Sequence, residues 1–279
     1  MDWNKSNTIL IIAFVILNIF LLMSTFSDIF TDNFNVNLDS DFKNDVENML
    51  AGKNINIKCQ IPEDEFILPV LETEYNMIEV NNEVVQKYLG KGVEAKEDVY
   101  EYSNDKGENL EIIDGKKIKF IMRNMTSGEV SDEEVLNESI KAVIGQYAID
   151  ITNFSESCRY ISKDGGYVTY TQNYNDINMD NSYINFLVDK VGVYGFEIQK
   201  IDTVMEIKDK IRAISAIEAL PRLMTDDEIR DKDIIEIKMK YYSVENENWK
   251  NIKNINADPT WKVVFSDGTQ KYLSSSDQS

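Results

Sequence analysis

The chain has 279 residues, 43% of them hydrophobic, which is enough for a substantial core and excludes disorder as its general state. Its formal net charge is -20, so it repels nucleic acid, which is bound by exchanging counterions for Lys and Arg. No histidine is present among the 279 residues, which removes the commonest general base and metal ligand.

The first element is the run TILIIAFVILNIFLLM, Thr8 to Met23, in which only Thr8 and Asn18 are polar. Extended over residues 7–26 it has the roughly twenty residues a helix needs to cross about 30 Å of hydrocarbon. It lacks the polar stripe of a helix buried in a soluble protein. STFSDIF follows, with Phe26 and Ile29 where a signal-peptidase site wants small residues, so the run reads as an uncleaved anchor. Lys5 precedes it, and Asp28, Asp32, Asp39 and Asp41 follow it. The positive-inside rule then places residues 1–6 in the cytoplasm and 27–279 outside. Residues 27–38, rich in Asn and Asp, read as a stalk.

A helix is expected from Asp39 or Ser40, with Phe42, Val46 and Leu50 on one face and Gly52 at its end. INIKC reads as a strand, and FILPVLETEYNMIEV as strand broken by Pro69. A second helix spans Asn82 to Leu89, closed by Gly90. EDVYEYS, ENLEIID and KKIKFIMR are strand-like, the last two flanking the hairpin signal Asp114-Gly115. Ser131 to Glu134 forms a capping box ahead of an apolar stripe through Val135, Leu136, Ile140, Val143, Ile144 and Tyr147. Strands SCRYIS, YVTYTQNY, YINFLVD and a long VYGFEIQKIDTVMEI come next. A helix from Arg212 to Leu223 is limited by Pro221. DIIEIKMKYYSV, TWKVVFS and TQKYL finish the chain, the last pair turning at Asp267-Gly268.

The order helix, strands, helix, three strands occurs twice. The expected class is therefore α+β: one N-terminal transmembrane helix, then two similar extracellular modules, 39–130 and 131–273, each an antiparallel sheet with packed helices. A polar tail, 274–279, ends the chain.

Catalytic patterns are absent. There is no G-x-S-x-G, S-x-x-K, phosphate-loop or dinucleotide fingerprint. Acidic clusters such as Glu63-Asp64-Glu65 and Asp226-Asp227-Glu228 read as solvated loop or helix-start residues, Thr225-x-x-Glu228 being a second capping-box pattern. Asp176-Ile177-Asn178-Met179-Asp180 matches the first ligand positions of a calcium loop. Asn181 stands where its glycine belongs and Leu187 where its bidentate Glu belongs, so the segment reads as a turn. Cys59 and Cys158 read as unpaired, small hydrophobes, the alternative being a disulfide that staples the two halves outside the membrane. No cofactor and no metal are expected, and the chain does not read as an enzyme.

The head MDWNKSNTILIIAFVILNIFLL resembles the start of YycI-type proteins, whose Met-Asp-Trp-x-Lys head precedes an Ile/Phe/Leu-rich span with Asn or Asp near Asn18. ISAIEALPRL, IIEIKMKYY and ADPTWKVVFSDGTQKYL resemble the family's closing helix, strand and Pro-x-Trp-x-Val hairpin. The resemblance implies a membrane-anchored regulator of the WalK (YycG) sensor histidine kinase, with an outer part of two related α+β modules. It also implies partnership with that kinase and with a YycH-like membrane protein, largely through membrane helices.

Within that reading Asn18 is the polar group deep in the span, and an amide in lipid seeks a hydrogen bond across helices, worth roughly 0.6–2 kcal/mol. Ile11, Phe14, Val15, Leu21 and Leu22 lie three, four or seven positions away, on its face. These six are the expected partner-binding residues. The competing reading is an extracellular ligand-binding or envelope-enzyme domain carried on the anchor.

Overall fold

The computed structural model describes residues 41–122, 133–207, 210–244 and 252–276. The expected anchor and stalk, and Ser131 of the expected capping box, lie outside them. Among the described residues no helix is long and apolar enough to cross a membrane.

Helix α1 carries residues 41–51 and buries Val46 and Leu50, while Phe42, expected on the same face, stays 42% exposed. The chain then turns into β1 (Ile55–Ile57). Pro69 acts as expected: it separates β2 (Ile67–Leu68) from β3 (Leu71–Tyr75), because a proline has no N–H to give a central ladder. Helix α2 (Asn82–Leu89) is capped by Asn81, whose side chain accepts from the Val84 amide, and is closed by Gly90 at φ 84°. β4 (Glu101–Ser103), β5 (Asn109–Ile113) and β6 (Lys117–Ile121) follow. Asp114 and Gly115 turn β5 into β6, both at positive φ, 51° and 63°, as the right-handed twist of a hairpin requires.

Helix α3 (Glu133–Gln146) buries Leu136, Ile140 and Val143 of its expected stripe. β7 (Phe154–Ser162), β8 (Gly165–Tyr174) and β9 (Ile177–Val188) form an antiparallel meander. Gly166 is required there, since a Cβ would stand 1.9 Å from the Tyr160 carbonyl oxygen. The expected long strand after it is two: β10 (Val193–Gln199) pairs with β6 and β9, and β11 (Ile201–Glu206) leaves to pair with β3.

The helix expected from Arg212 to Leu223 is also divided. Ile211–Arg212 is strand β12, paired with β2. Helix α4 is only Ala216–Ala219, capped by a Ser215/Glu218 capping box, and Leu220–Thr225 is 3-10 helix. Pro221 explains the change, because its ring clashes with an α-helical carbonyl four residues back. Thr225 and Glu228 do not open a helix; the chain there is a turn in which the Glu228 amide donates to Asp226. β13 (Lys232–Tyr242), β14 (Asn254–Phe265) and β15 (Gln270–Ser274) close the fold.

The class is α+β, but the expected pair of separate antiparallel sheets is replaced by one mixed sheet of thirteen strands. β1 joins β13 in parallel, and β9 joins β13 through one parallel pair, Met179 with Tyr241. Two large apolar clusters result. The first packs α2 and α3 on β4–β6 and β8–β10, with Tyr88, Phe120, Tyr147 and Phe196 in mutual ring contact. The second packs α1 and the 213–229 region on β13–β15 around Trp261. The boundary expected near residue 130 therefore runs through the first cluster, while residues 46–61 join the C-terminal one.

Candidate functional site

Alternation along the strands decides where the two halves meet. In β9, Ile184, Phe186 and Val188 point into the first cluster, so Tyr183, Asn185 and Leu187 point to the opposite face. In β14, Trp261, Val263 and Phe265 point into the second cluster, which turns Thr260, Lys262 and Val264 the other way. Yet every residue from Pro259 to Phe265 is buried. The polar face of one half is covered by the polar face of the other.

A groove of about 400 Å³ lies between them, lined from the first half by Thr169, Thr171, Asp180 and Asn185, and from the second by Lys262 and Tyr272 among others. Its floor is an ion pair. Lys262 Nζ donates to Asp180 Oδ2 at 2.6 Å, and Tyr272 donates to the same oxygen at 2.8 Å. The two side chains of the pair are only 4% and 2% exposed. Lys262 and Tyr272 reach one oxygen because they are direct cross-strand neighbours on β14 and β15. Burial, and then the Asp180 charge, raise the Tyr272 phenol well above the ordinary tyrosine range, so it remains a donor throughout the physiological pH range. Its ring stacks on Tyr242 at 3.7 Å and 7°.

Around this floor other groups suture the halves. Asn181 donates to the Ser243 carbonyl at 3.0 Å and accepts from its amide at 2.6 Å, extending the single β9–β13 backbone pair. Lys240 is fully buried and donates to Asn178; desolvation holds its ammonium below the ordinary lysine value. At the rim, Tyr167 donates to the Gly268 carbonyl at 3.1 Å and accepts from Gln270 at 2.9 Å. Cys158 lies 3.8 Å from the Gln270 amide, its thiol pushed up by burial. Both cysteines are free.

Two buried atoms of the groove-lining residues stand out. Asp180 Oδ1 and Thr171 Oγ1 are buried and have no hydrogen-bond partner among the described residues. Buried polar atoms are almost always satisfied, and each orphan costs about 1–3 kcal/mol.

The segment that matches the first positions of a calcium loop thus supplies the carboxylate of the groove's ion pair, in another role. Asp180 is in a strand and binds a lysine, and no cluster of three or more metal-ligating side chains occurs among the described residues. The other groove residues carry no motif. One signal was available: Lys262 interrupts the apolar run Trp261 to Phe265, which is unusual for a strand buried on both faces. The expected partner-binding residues Ile11, Phe14, Val15, Asn18, Leu21 and Leu22 lie outside the described residues.

The YycI protein family matches residues 34–274. The chain belongs to the YycI family. None of the curated proteins compared matches it. Among solved structures, YycH from Bacillus subtilis aligns with a TM-score of 0.48 at 11% identity, over 76% of this chain and 53% of that one. The chain therefore spans about half the length of that YycH structure. An uncharacterized protein from Eubacterium rectale aligns with a TM-score of 0.45 at 10% identity, over 84% of this chain and 94% of that one. The YycI match takes in all the described residues except the last two, 275 and 276, so the groove falls wholly inside the family region.

Proposed function

We propose that the chain is a non-enzymatic regulator held in the cell membrane by residues 7–26, with residues 27–279 outside, and that it modulates a sensor histidine kinase of the WalK (YycG) type together with a YycH-like partner. Membership of the YycI family over residues 34–274 carries this reading. The apolar run that precedes the matched region supplies the anchor, and its acidic C-terminal flank supports the outward orientation. Contact with the kinase is made by the face of the span that holds Asn18, Ile11, Phe14, Val15, Leu21 and Leu22. A helix bound there shifts the kinase only by its differential affinity for the kinase's two states.

The test is photocrosslinking in cells from positions 14, 15 and 22, with identification of the captured proteins by mass spectrometry. Capture of a histidine kinase or a YycH-like protein is expected, and Asn18→Leu should reduce the yield. Capture of neither protein overturns the proposal, and an undiminished yield in the Asn18 variant removes that residue from the contact.

A further inference from the structure

Beyond the anchor and its partners, we propose that the groove between the two sheet faces binds a neutral, hydroxyl-rich small molecule of the carbohydrate class. The inference starts from the two orphan atoms. Asp180 lines the groove; its Oδ2 is saturated by Lys262 and Tyr272, while Oδ1 of the same carboxylate is buried and has no partner among the described residues. Thr171, only 1% exposed, also lines the groove, and its Oγ1 likewise has no partner among the described residues. A carboxylate oxygen needs a donor, and a threonine hydroxyl takes either role. Sugar hydroxyls both donate and accept, so one such ligand carries the kinds of partner that the two residues lack.

Charge argues for a neutral occupant. Asp180 is already paired with Lys262 at 2.6 Å, and Glu197 on the same wall faces Lys119 at 3.8 Å. A cationic ligand would meet Lys262, with Lys240 close behind it, and an anionic one would meet Asp180 and Glu197. Either would bury an uncompensated charge. The remaining lining is of hydroxyl, amide and aromatic groups: Thr169, Asn185 and the stacked Tyr242–Tyr272 pair. A volume of about 400 Å³ lies within the range of small-molecule sites and is far more than a single water occupies.

The experiment uses the full-length protein in lipid nanodiscs, free of sugar-based detergent, titrated with maltose and with N,N′-diacetylchitobiose by calorimetry. Glucosamine and gluconate serve as cationic and anionic counterparts. Saturable binding of at least one neutral disaccharide is expected, stronger than that of either charged sugar. Thr171→Val keeps shape and removes the hydroxyl, so it should weaken binding about tenfold while its urea midpoint stays at or above that of the parent. The pair Asp180→Leu with Lys262→Met removes the carboxylate without stranding the lysine, and should abolish binding. Retention on amylose or chitin resin would assign the site to a sugar within a polymer; binding of the free disaccharide without retention would assign it to a soluble sugar. No saturable binding of either neutral sugar overturns the proposal. So does preference for a charged one, or binding unchanged in both variants.

Discussion

Strands β8, β9 and β10 have two faces of opposite chemistry, and the contrast shows how this chain builds a stable half and an adaptable seam from the same residues. On one face Val168, Ile184, Phe186, Phe196 and Ile198 pack under α2 and α3. On the other, Thr169, Asn185 and Glu197 meet the polar side of β14 and β15. The apolar face is satisfied by contact alone and tolerates no loss of volume. The polar face is satisfied only where a specific partner is present, and among the described residues Asp180 Oδ1 and Thr171 Oγ1 have none. Close packing supplies stability on the first face; unsatisfied hydrogen-bonding capacity supplies recognition on the second.

The largest effect expected from breaking this contrast is on the apolar side. Phe120 is 0% exposed and its ring lies 5.1 to 5.5 Å from those of Tyr147, Phe196 and Tyr88. Phe120→Ala should destabilise the protein by about 3–5 kcal/mol through lost transfer energy and the cavity left behind. Urea denaturation followed by near-ultraviolet circular dichroism measures it. A loss under about 1 kcal/mol would mean that this face is loosely packed and the contrast false.

On the polar side the ion pair should behave differently from a packed ring. Asp180→Ala leaves Lys262 buried without its carboxylate, at a cost of about 3 kcal/mol or more. Replacing both partners, Asp180→Leu with Lys262→Met, should recover part of that loss, since a buried pair hardly outweighs its own desolvation, while the Tyr272 hydroxyl still loses its acceptor. The double-mutant cycle, with Asp180→Leu and Lys262→Met each also measured alone by the same denaturation, separates the two cases. A double variant as unstable as the sum of the single ones would show that the seam is held by shape and not by the pairing of charge.

These two faces were unequally legible in the sequence. Helix α2 was legible to the residue because its limits are local: Asn81 caps it and Gly90 closes it at positive φ. The β5–β6 hairpin was legible through Asp114-Gly115 for the same reason. The joining of the halves was not, because β1 pairs with β13 across 177 residues and β3 with β14 across 182. No local preference encodes such register. The order of elements suggested two self-contained modules, and physical continuity through β9 and β13 makes one sheet of them. Asp180 was visible only as part of a false calcium pattern, since its real partners, Lys262 and Tyr272, come 82 and 92 residues later.

The smallest expected effect sharpens the contrast at the rim of the groove, where charge is wet. Asp267, in the β14–β15 turn, pairs with Lys232 at 2.8 Å and accepts from the Thr269 amide at 3.0 Å. Burial alone would raise its carboxyl, but the hydrogen bonds from Lys232 and Thr269 outweigh it and hold it down at about 2. A carboxylate depressed in the folded state stabilises fully above its unfolded value, 3.8, and that contribution fades as pH falls from there through about 2. Its side chain is 47% exposed, so solvent and salt screen the pair and the effect stays below about 1 kcal/mol. Asp267→Asn should therefore cost little at pH 7 and flatten the acid limb of the stability profile between pH 4 and pH 2, measured by urea midpoints across that range. The buried Asp180–Lys262 pair has no such screening, and 0.5 M salt should erase the Asp267 difference while leaving the Asp180→Ala loss in place. Equal salt sensitivity at the two positions would mean that the floor of the groove is as open to water as its rim.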